Sequence, residues 1–306
     1  MRNAAVLKLS RRTTILGSLV LLGGLSKASL AGTITDAGKV SVSVTAPKRI
    51  VTIGSAVTEI VIALGERKNM IAIDLTSIYA AGAEGLTNVG YMRALSTEGV
   101  LSQSPDLMCV SSDSGPPEVL DALRGSGIPF ALIPHVPSTA GVKEKVTLLG
   151  ILLDKPAEAE KLNAEIEAEF AALAAKVSAV TRHPKVLFVL SLADNRIMAG
   201  GHDTAADMVI NLAGGENIAE SFTGYKPMSA EAILENPPDA VLMMTGGPSS
   251  HATTANIFSQ AAFANSPAAK NDALIRMDSG YLLGVGPYTA RAATDLARRL
   301  HPDLAL

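Results

Sequence analysis

The chain of 306 residues lacks tryptophan and contains a single cysteine, Cys109. One cysteine excludes an internal disulfide and any cluster of thiolates that could hold a metal. Cys109 lies within an apolar run, which predicts a small buried core residue rather than a reactive thiol. Aromatic residues make up only 4% of the chain, so its five tyrosines stand out as candidates for ligand contacts.

The chain also lacks an excess of basic charge and the motifs of common catalytic sites. Its formal net charge is −3, whereas proteins that bind nucleic acid concentrate Lys and Arg on one face. There is no phosphate loop with its Lys, no dinucleotide fingerprint, no nucleophile elbow and no HExxH. The sequence therefore predicts that the protein is not an enzyme.

The five histidines do not show the spacing of metal ligands. We predict that they are surface or loop residues, and a ligand role stays open only for His202. They are His135, His183, His202, His251 and His301.

The first 31 residues have the pattern of an export signal. Basic residues, among them Arg11 and Arg12, precede a short apolar stretch from Ile15 to Leu25, and small residues follow. That order predicts a signal peptide over residues 1–31, cleavage after Ala31, and export to the periplasm. The paired arginines leave twin-arginine export and ordinary secretion equally open. An uncleaved membrane anchor is disfavoured because the apolar stretch is short.

A repeated frame indicates two related lobes. The stretch GYMRALSTEGVLSQSPD runs from Gly90 to Asp106, and GYKPMSAEAILENPPD runs from Gly224 to Asp239. Each copy has a Gly-Tyr pair, a basic residue, a small residue, a Glu and a short amphipathic run that ends in Pro. An apolar, strand-like segment follows both copies. Such an ordered match predicts that a ligand is held between two halves of the molecule.

The chain predicts an α/β fold of two Rossmann-like lobes with mainly parallel sheets and a ligand cleft between the lobes. After a loose Ser/Thr-rich start, short apolar strands alternate with amphipathic helices, the pattern of βαβ units. A stretch rich in Ala, Glu, Leu and Lys then predicts a single long helix that joins the lobes. The predicted boundaries are 46–137 for the N-terminal lobe, 138–182 for the connecting helical segment and 183–306 for the C-terminal lobe.

Tyr91 and Arg93 form the strongest candidate site. They are two residues apart, so in an extended loop their side chains point the same way. A nearby positive charge favours the phenolate form of a phenol, and a tyrosine oxygen is a known axial ligand of haem iron. The residues alone leave open the alternative that Tyr91 only packs in the cleft and that Arg93 is solvated. Tyr225 and Lys226 are the corresponding pair of the second copy.

The sequence resembles bacterial periplasmic haem-binding proteins that serve haem ABC importers. The resemblance rests on GYMRALSTEGVL, the TSIY run at Thr76 to Tyr79, GYKPMSAEAIL and MDSGYLLGVGP, and it covers the chain from Lys48 onward. It implies ferric haem b as the transported ligand, Tyr91 as the axial iron ligand and Arg93 as its support. It also implies limited closure of two rigid lobes.

The second-lobe contacts and the stoichiometry are less closely matched to this family. In some relatives an Arg of the second lobe contacts the ligated Tyr, and the candidate here is Lys226. Other relatives hold a second haem through a His of the second lobe, which the corresponding SLADNR segment lacks. The resemblance therefore favours a monomer that binds a single haem.

Glu98 and Glu231 occupy the same place in the two copies of the frame. A Glu in a first helical turn can simply cap the helix or interact with its dipole. In related binding proteins, however, these glutamates dock onto basic pockets of a permease dimer that works with an ATPase in the inner membrane. The resemblance thus implies one acidic docking contact per lobe.

Two alternatives to haem transport remain open. A siderophore or cobalamin binder would share the outer frame, although neither ligand needs a Tyr-Met-Arg element. An exported haem- or metal-dependent enzyme is disfavoured because no catalytic constellation accompanies the tyrosine.

Overall fold

The computed structural model describes residues 32–193, 196–245 and 253–304. The predicted signal peptide, residues 1–31, lies outside the described residues. Among the helices that are described, none has the length and apolarity needed to cross a membrane.

The chain enters the fold through a short antiparallel hairpin, although the sequence predicted a loose start there. Strands β1 (Gly32–Thr35) and β2 (Ser41–Val44) pair with each other. Ile34 and Val42 face the core. The carboxylate of Asp36 in the turn accepts hydrogen bonds from the backbone of Val40 and Leu132, both at 3.0 Å, and from Arg124 at 2.7 Å. These contacts fasten the Ser/Thr-rich start to the first lobe.

The first lobe is built on a five-stranded sheet in which every pair of neighbours is parallel. Its strand order is β5-β4-β3-β6-β7. The strands are β3 (Ile50–Ile53), β4 (Met70–Ile73), β5 (Thr87–Asn88), β6 (Leu107–Ser111) and β7 (Phe130–Ile133). The helices of this lobe are α1 (Ser55–Ala63), α2 (Thr97–Leu101) and α3 (Pro117–Arg124), with single 3₁₀ turns at Arg67–Asn69 and Leu75–Ser77. Cys109 on β6 is fully buried, as predicted, and burial raises the pKa of its thiol to about 12.

The connecting segment contains two helices, α4 (Thr139–Leu152) and α5 (Pro156–Val177). The predicted long helix corresponds to α5, whereas the residues before it form a separate helix. The break has a local cause: Pro156 has no N–H to donate and disfavours helical backbone at Lys155. Asp154, which lies between the two helices, has a positive φ of 56°, so the backbone is not helical there.

The second lobe carries a mixed sheet, in which parallel strands are accompanied by an antiparallel edge. Its order is β11-β9-β8-β12-β13, and β10 also pairs with β8. The strands are β8 (Lys185–Ala193), β9 (Arg196–Gly200), β10 (Glu216–Asn217), β11 (Tyr225–Met228), β12 (Ala240–Thr245) and β13 (Leu274–Asp278). The helices are α6 (Ala205–Leu212), α7 (Ala230–Glu235), α8 (Thr254–Phe258), α9 (Pro267–Lys270), α10 (Ser279–Leu283) and α11 (Thr289–Leu300). Strands β9 and β11 run antiparallel to their neighbours, so the prediction of mainly parallel sheets holds best for the first lobe.

The apolar core is continuous across the two lobes. One buried cluster joins α1, α4 and α5 to second-lobe residues, including Met208 on α6 and Ala290 on α11. Helix α5 contributes Ile166 and Phe170 to this cluster and Leu173 to the neighbouring cluster of the second lobe. The long helix thus packs on both lobes and anchors them to each other.

The repeated frame is also a structural repeat. Asp106 accepts hydrogen bonds from the backbone N–H groups of Lys48 and Arg49 at 2.7 and 2.9 Å, beside the start of β3. Asp239 accepts one from the backbone N–H of Lys185 at 2.9 Å, at the start of β8. Each frame therefore ends in a carboxylate that joins two neighbouring strands of its sheet, β3 and β6 in the first lobe and β8 and β12 in the second.

Candidate functional site

A cavity of about 890 Å³ opens between the two lobes, within the range of about 300 to 1,000 Å³ that is usual for ligand pockets. The first lobe contributes polar groups, among them Tyr91, Arg93 and Asp113. The second lobe contributes apolar groups, among them Leu190 and Leu283, together with polar ones such as Asp203. The cavity can therefore hold a ligand that has both apolar and polar groups.

The loop that presents Tyr91 is shaped by its flanking residues. Gly90 has a φ of 104°, a conformation that residues with a side chain rarely adopt, and its N–H donates to Asn88 Oδ1 at 2.8 Å. The carbonyl of Gly90 accepts from the backbone N–H of Leu75 at 2.8 Å. Met92 is buried in the first-lobe core, and its two neighbours, Tyr91 and Arg93, line the cavity and are exposed. The two side chains do face the same cavity, but the backbone is a turn closed by the hydrogen bond from Ala94 N–H to the carbonyl of Tyr91 at 2.8 Å, not the extended loop that the sequence predicted.

Tyr91 and Arg93 are in direct contact. Arg93 Nη1 donates to the phenol oxygen of Tyr91 at 3.1 Å, and Arg93 Nη2 donates to Asp113 Oδ2 at 2.7 Å. Burial opposes the charged guanidinium, but these two partners outweigh it and raise the pKa of Arg93. Tyr91 is 42% exposed, so its oxygen remains open to the cavity while a fixed positive charge lies beside it.

Asp113 and His135, which the sequence did not single out as site residues, also line the cavity. Asp113 Oδ1 accepts from Ser111 Oγ at 2.6 Å and lies 3.6 Å from His135 Nδ1. Burial would raise the pKa of Asp113, yet His135, the Ser111 hydroxyl and Arg93 together lower it. Burial lowers the pKa of His135, which favours its neutral form. Their position at the carboxyl ends of parallel strands is the signal that could have found them.

The second lobe faces this group through Tyr225. Its ring lies edge-on to Phe188, with centroids 6.2 Å apart, and burial raises the pKa of its phenol to about 12. Tyr225 therefore stays a neutral aromatic wall of the cavity. Lys226 is the next residue on β11 and is exposed outside the cavity lining. Successive side chains of a strand point to opposite faces, which accounts for this difference.

His202 lies near the rim of the cavity and is paired with carboxylates. Its Nδ1 is 3.4 Å from Asp207 Oδ2, and its Nε2 is 3.3 Å from Asp203 Oδ1. Within the described ranges, no group of three or more His, Cys, Asp or Glu residues is arranged to hold a metal ion.

A smaller cavity of about 450 Å³ adjoins the first and shares Thr76, Tyr79 and Gly280 with it. Glu59 and Asp278 contribute carboxyl groups to its wall. Burial raises the pKa of Glu59 to about 8, despite the nearby charge of Lys145. This chamber therefore carries an acid that is largely protonated at neutral pH.

The two repeated glutamates lie away from both cavities. Glu98 and Glu231 are exposed in the first turns of α2 and α7 and are absent from the cavity walls. The N-caps of these helices are serines: the hydroxyls of Ser96 and Ser229 accept from backbone N–H groups at 3.0 and 3.2 Å. Hydrogen bonds from its own backbone N–H and from Ser229 lower the pKa of Glu231. Each lobe thus presents one exposed carboxylate at a capped helix start.

Two solved structures of haem-binding proteins are similar to this chain. A periplasmic haem-binding protein of Roseiflexus sp. RS-1, called RhuT and solved without ligand, is 33% identical, with a TM-score of 0.79 over 83% of this chain and 98% of that one. A periplasmic haem-binding protein of Pseudomonas aeruginosa is 30% identical, with a TM-score of 0.76 over 84% of this chain and 94% of that one. The resemblance noted in the sequence is thereby confirmed.

Curated relatives broaden the comparison to other substrates. YvrC, an ABC transporter substrate-binding lipoprotein of Bacillus subtilis, is 25% identical over 89% of this chain and 86% of its own. A vitamin B12-binding protein of Photorhabdus laumondii is 25% identical over 66% of this chain and 72% of its own. A family model for periplasmic binding proteins matches residues 50–281. The chain belongs to the periplasmic binding protein family, whose members bind substrates for transport and are not enzymes.

Proposed function

We propose that this protein binds one ferric haem b in the interlobe cavity and delivers it to an ABC importer. The observation that carries the proposal is the phenol oxygen of Tyr91, which is open to the cavity and lies 3.1 Å from the Arg93 guanidinium. A tyrosine oxygen is one of the axial ligands of haem iron, and the guanidinium lies within hydrogen-bond distance of it. The printed descriptions of the Roseiflexus and Pseudomonas proteins support the choice of haem.

The walls of the cavity fit the remainder of a haem. Leu190, Met244 and Leu283 of the second lobe supply apolar contacts for a porphyrin face. Tyr225 adds an aromatic surface opposite Tyr91. The guanidinium has five N–H donors, so Arg93 can also pair with a haem propionate beside its contacts with Tyr91 and Asp113. When bound, the haem supplies the iron that Tyr91 ligates, and the protein supplies the ligand, the walls and the charge.

The remaining parts of the proposal concern the partners and the location. The family and the lipoprotein relative support an extracellular or periplasmic protein of an ABC transport system. We propose a periplasmic monomer, exported through residues 1–31, that docks on a permease dimer with its ATPase. Glu98 and Glu231 are the proposed contacts, one on each lobe.

Titration with hemin tests the proposal. The purified protein should take up one equivalent and show the absorption bands of ferric haem ligated by a phenolate. Tyr91→Phe should lose those bands and keep the fold, because only the oxygen is removed. Tyr225→Phe is the matched control, since it removes a phenol oxygen from the opposite wall and should keep the bands.

Cobalamin is the competing ligand, because vitamin B12-binding proteins are among the relatives. The same titration with cyanocobalamin should show no binding. Tight binding of cobalamin without binding of hemin would overturn the proposal, and so would phenolate bands that persist in Tyr91→Phe.

A further inference from the structure

The carboxylate of Asp113 is held from several sides within the first lobe. Oδ2 receives the hydrogen bond from Arg93 Nη2 at 2.7 Å, and Oδ1 receives one from Ser111 Oγ at 2.6 Å. His135 Nδ1 lies 3.6 Å from Oδ1, and the backbone N–H of His135 donates to Ser112 Oγ at 2.9 Å. The Asp113 side chain is 26% exposed, against 52% for Arg93. Asp113 is thus the less exposed partner of this pair, and it has further contacts within the first lobe that hold it in place.

Arg93 needs such a partner in order to remain beside Tyr91. An arginine side chain loses considerable rotamer freedom when it is held in one place. Its contact with Tyr91 joins residues that are only two positions apart in an exposed loop, and that contact alone does not restrict the guanidinium to one direction. The second hydrogen bond, to a carboxylate that is itself held in place, fixes the plane of the guanidinium and aims Nη1 at the phenol oxygen.

We infer that Asp113 is a positioning residue for the iron ligand: it holds the Arg93 guanidinium against the oxygen of Tyr91 and so strengthens ligation of haem iron. The inference rests on the proposed function for its haem readout. The hydrogen bonds of Asp113 go to Arg93 and Ser111 and not to Tyr91, so it acts on Tyr91 through Arg93, although it lines the same cavity.

A purely electrostatic role for Asp113 would have the opposite sign. A negative charge near a phenol disfavours the phenolate, so on charge alone the loss of Asp113 should improve ligation of iron. Positioning instead means that the loss of Asp113 weakens ligation, because Arg93 then moves into solvent. The direction of the change in hemin affinity therefore decides between the two roles.

The experiment compares Asp113→Ala, Asp113→Asn, Arg93→Ala and the double variant Asp113→Ala/Arg93→Ala by hemin titration. We expect Asp113→Ala to weaken binding about tenfold to a hundredfold, the range for a charge-assisted hydrogen bond. Asp113→Asn keeps an acceptor for Arg93 and should lose less. The double variant should bind no more weakly than Arg93→Ala, because both substitutions remove the same contact. Tighter or unchanged binding in Asp113→Ala, or full additivity in the double variant, would overturn the inference.

Glu167→Ala is the control, since it breaks an acid–base pair, Lys143 Nζ to Glu167 Oε2 at 2.7 Å, that lies outside the cavity, and it leaves Arg93 in place. It should change hemin affinity less than about threefold, a loss below the range for a charge-assisted hydrogen bond. If Asp113→Ala fails to fold, Asp113→Val takes its place, because Val also offers no acceptor to Arg93, and a loss of affinity then carries the same meaning.

A second readout uses the protein without hemin. Side-chain ¹⁵N NMR of labelled arginine should show restricted rotation of the Arg93 guanidinium in the wild type and free rotation in Asp113→Ala. If the wild type shows no phenolate–haem bands, the proposed function fails while this measurement still tests the contact between Asp113 and Arg93. Equal mobility in both proteins overturns the positioning role whatever the ligand.

Discussion

The ammonium group of Lys145 on α4 donates a hydrogen bond to the carbonyl oxygen of Val285 in the second lobe at 2.9 Å. Lys145 is fully buried, and burial lowers the pKa of its side chain to about 8. Val285 has a positive φ of 51°, which is unusual for a β-branched residue. A buried lysine thus ties the connecting segment to a strained loop beside the ligand cavity.

Replacing Lys145 with Met should destabilise the protein by about 1 to 3 kcal/mol. Met fills much of the volume, but it leaves the buried carbonyl of Val285 without a donor. Urea denaturation measures the loss of unfolding free energy. Lys143→Met on the same helix is the control: its partner is the exposed Glu167, so the change should stay within about 0.5 kcal/mol. Equal effects of the two substitutions would contradict the role given to Lys145.

Glu59 should make stability depend on pH. Its pKa is raised from 4.5 to about 8 in the folded protein, so between these values the folded state binds more protons than the unfolded state. Unfolding free energy therefore falls as the pH rises through this window. Glu59→Gln cannot ionise, so its stability relative to the wild type should increase with pH, by at most about 1.4 kcal/mol per unit.

Thermal unfolding at several pH values between 5 and about 8 checks the dependence on Glu59. The charge of Glu59 also raises the pKa of Lys145, so in Glu59→Gln Lys145 titrates lower, which changes relative stability in the same direction at the upper end of this window. Glu160→Gln on α5 is the control, because Glu160 is exposed and its substitution should leave the pH profile of the wild type unchanged. A difference between Glu59→Gln and the wild type that is constant with pH, or shrinks as pH rises, would contradict the prediction.

Arg93→Ala should weaken hemin binding about tenfold to a hundredfold, the range for a charge-assisted hydrogen bond. The loss should be smaller than that in Tyr91→Phe, because the iron ligand itself remains. Arg298→Ala is the control, since its side chain is also 52% exposed but lies on α11 and pairs with Asp295. Unchanged affinity in Arg93→Ala would show that Arg93 is a solvated side chain that does not contribute to binding of hemin.

Loss of Glu98 and Glu231 should impair transport without affecting binding of hemin. Both carboxylates are exposed and lie outside the cavity, so the Glu98→Ala/Glu231→Ala variant should bind hemin like the wild type. Removing one partner of a buried charge pair at an interface costs about 2 to 5 kcal/mol, so uptake into proteoliposomes that contain the permease should be abolished. Glu235→Ala, at the other end of α7, should transport normally. Normal uptake by the double variant would leave the two glutamates with a structural role only.

The sequence predicted those parts of the site that lie close together along the chain. Tyr91 and Arg93 were predictable because they are only two residues apart, although a turn rather than the predicted extended loop brings their side chains together. Asp113 and His135 were not, because they reach the cavity through the order of β6 and β7 in a parallel sheet. Lysines of a helix are usually exposed, so nothing in the sequence indicated that Lys145 is buried. Its burial results from tertiary packing.

The fold was predictable to a similar degree. Alternating strands and helices indicated two α/β lobes, and the repeated frame located equivalent segments of them. The antiparallel edge of the second sheet was not evident, since β11 is a short exposed segment, YKPM, that contains Lys226 and Pro227 and lacks the apolar pattern of a strand. The residues around Pro156 have high helix propensity, which favoured one long helix. Only the effect of Pro156 itself indicated that the segment divides into two helices.

The apolar core that α5 shares with both lobes limits how far the lobes can move apart. We therefore expect exposed groups on the two lobes, including the carboxylates of Glu98 and Glu231, to keep nearly the same separation whether or not the cavity is filled. If the proposed importer recognises that separation, it cannot tell the loaded protein from the empty one by distance. Empty protein would then compete with loaded protein, and the uptake rate would depend on the fraction of the protein that carries ligand as well as on its total amount.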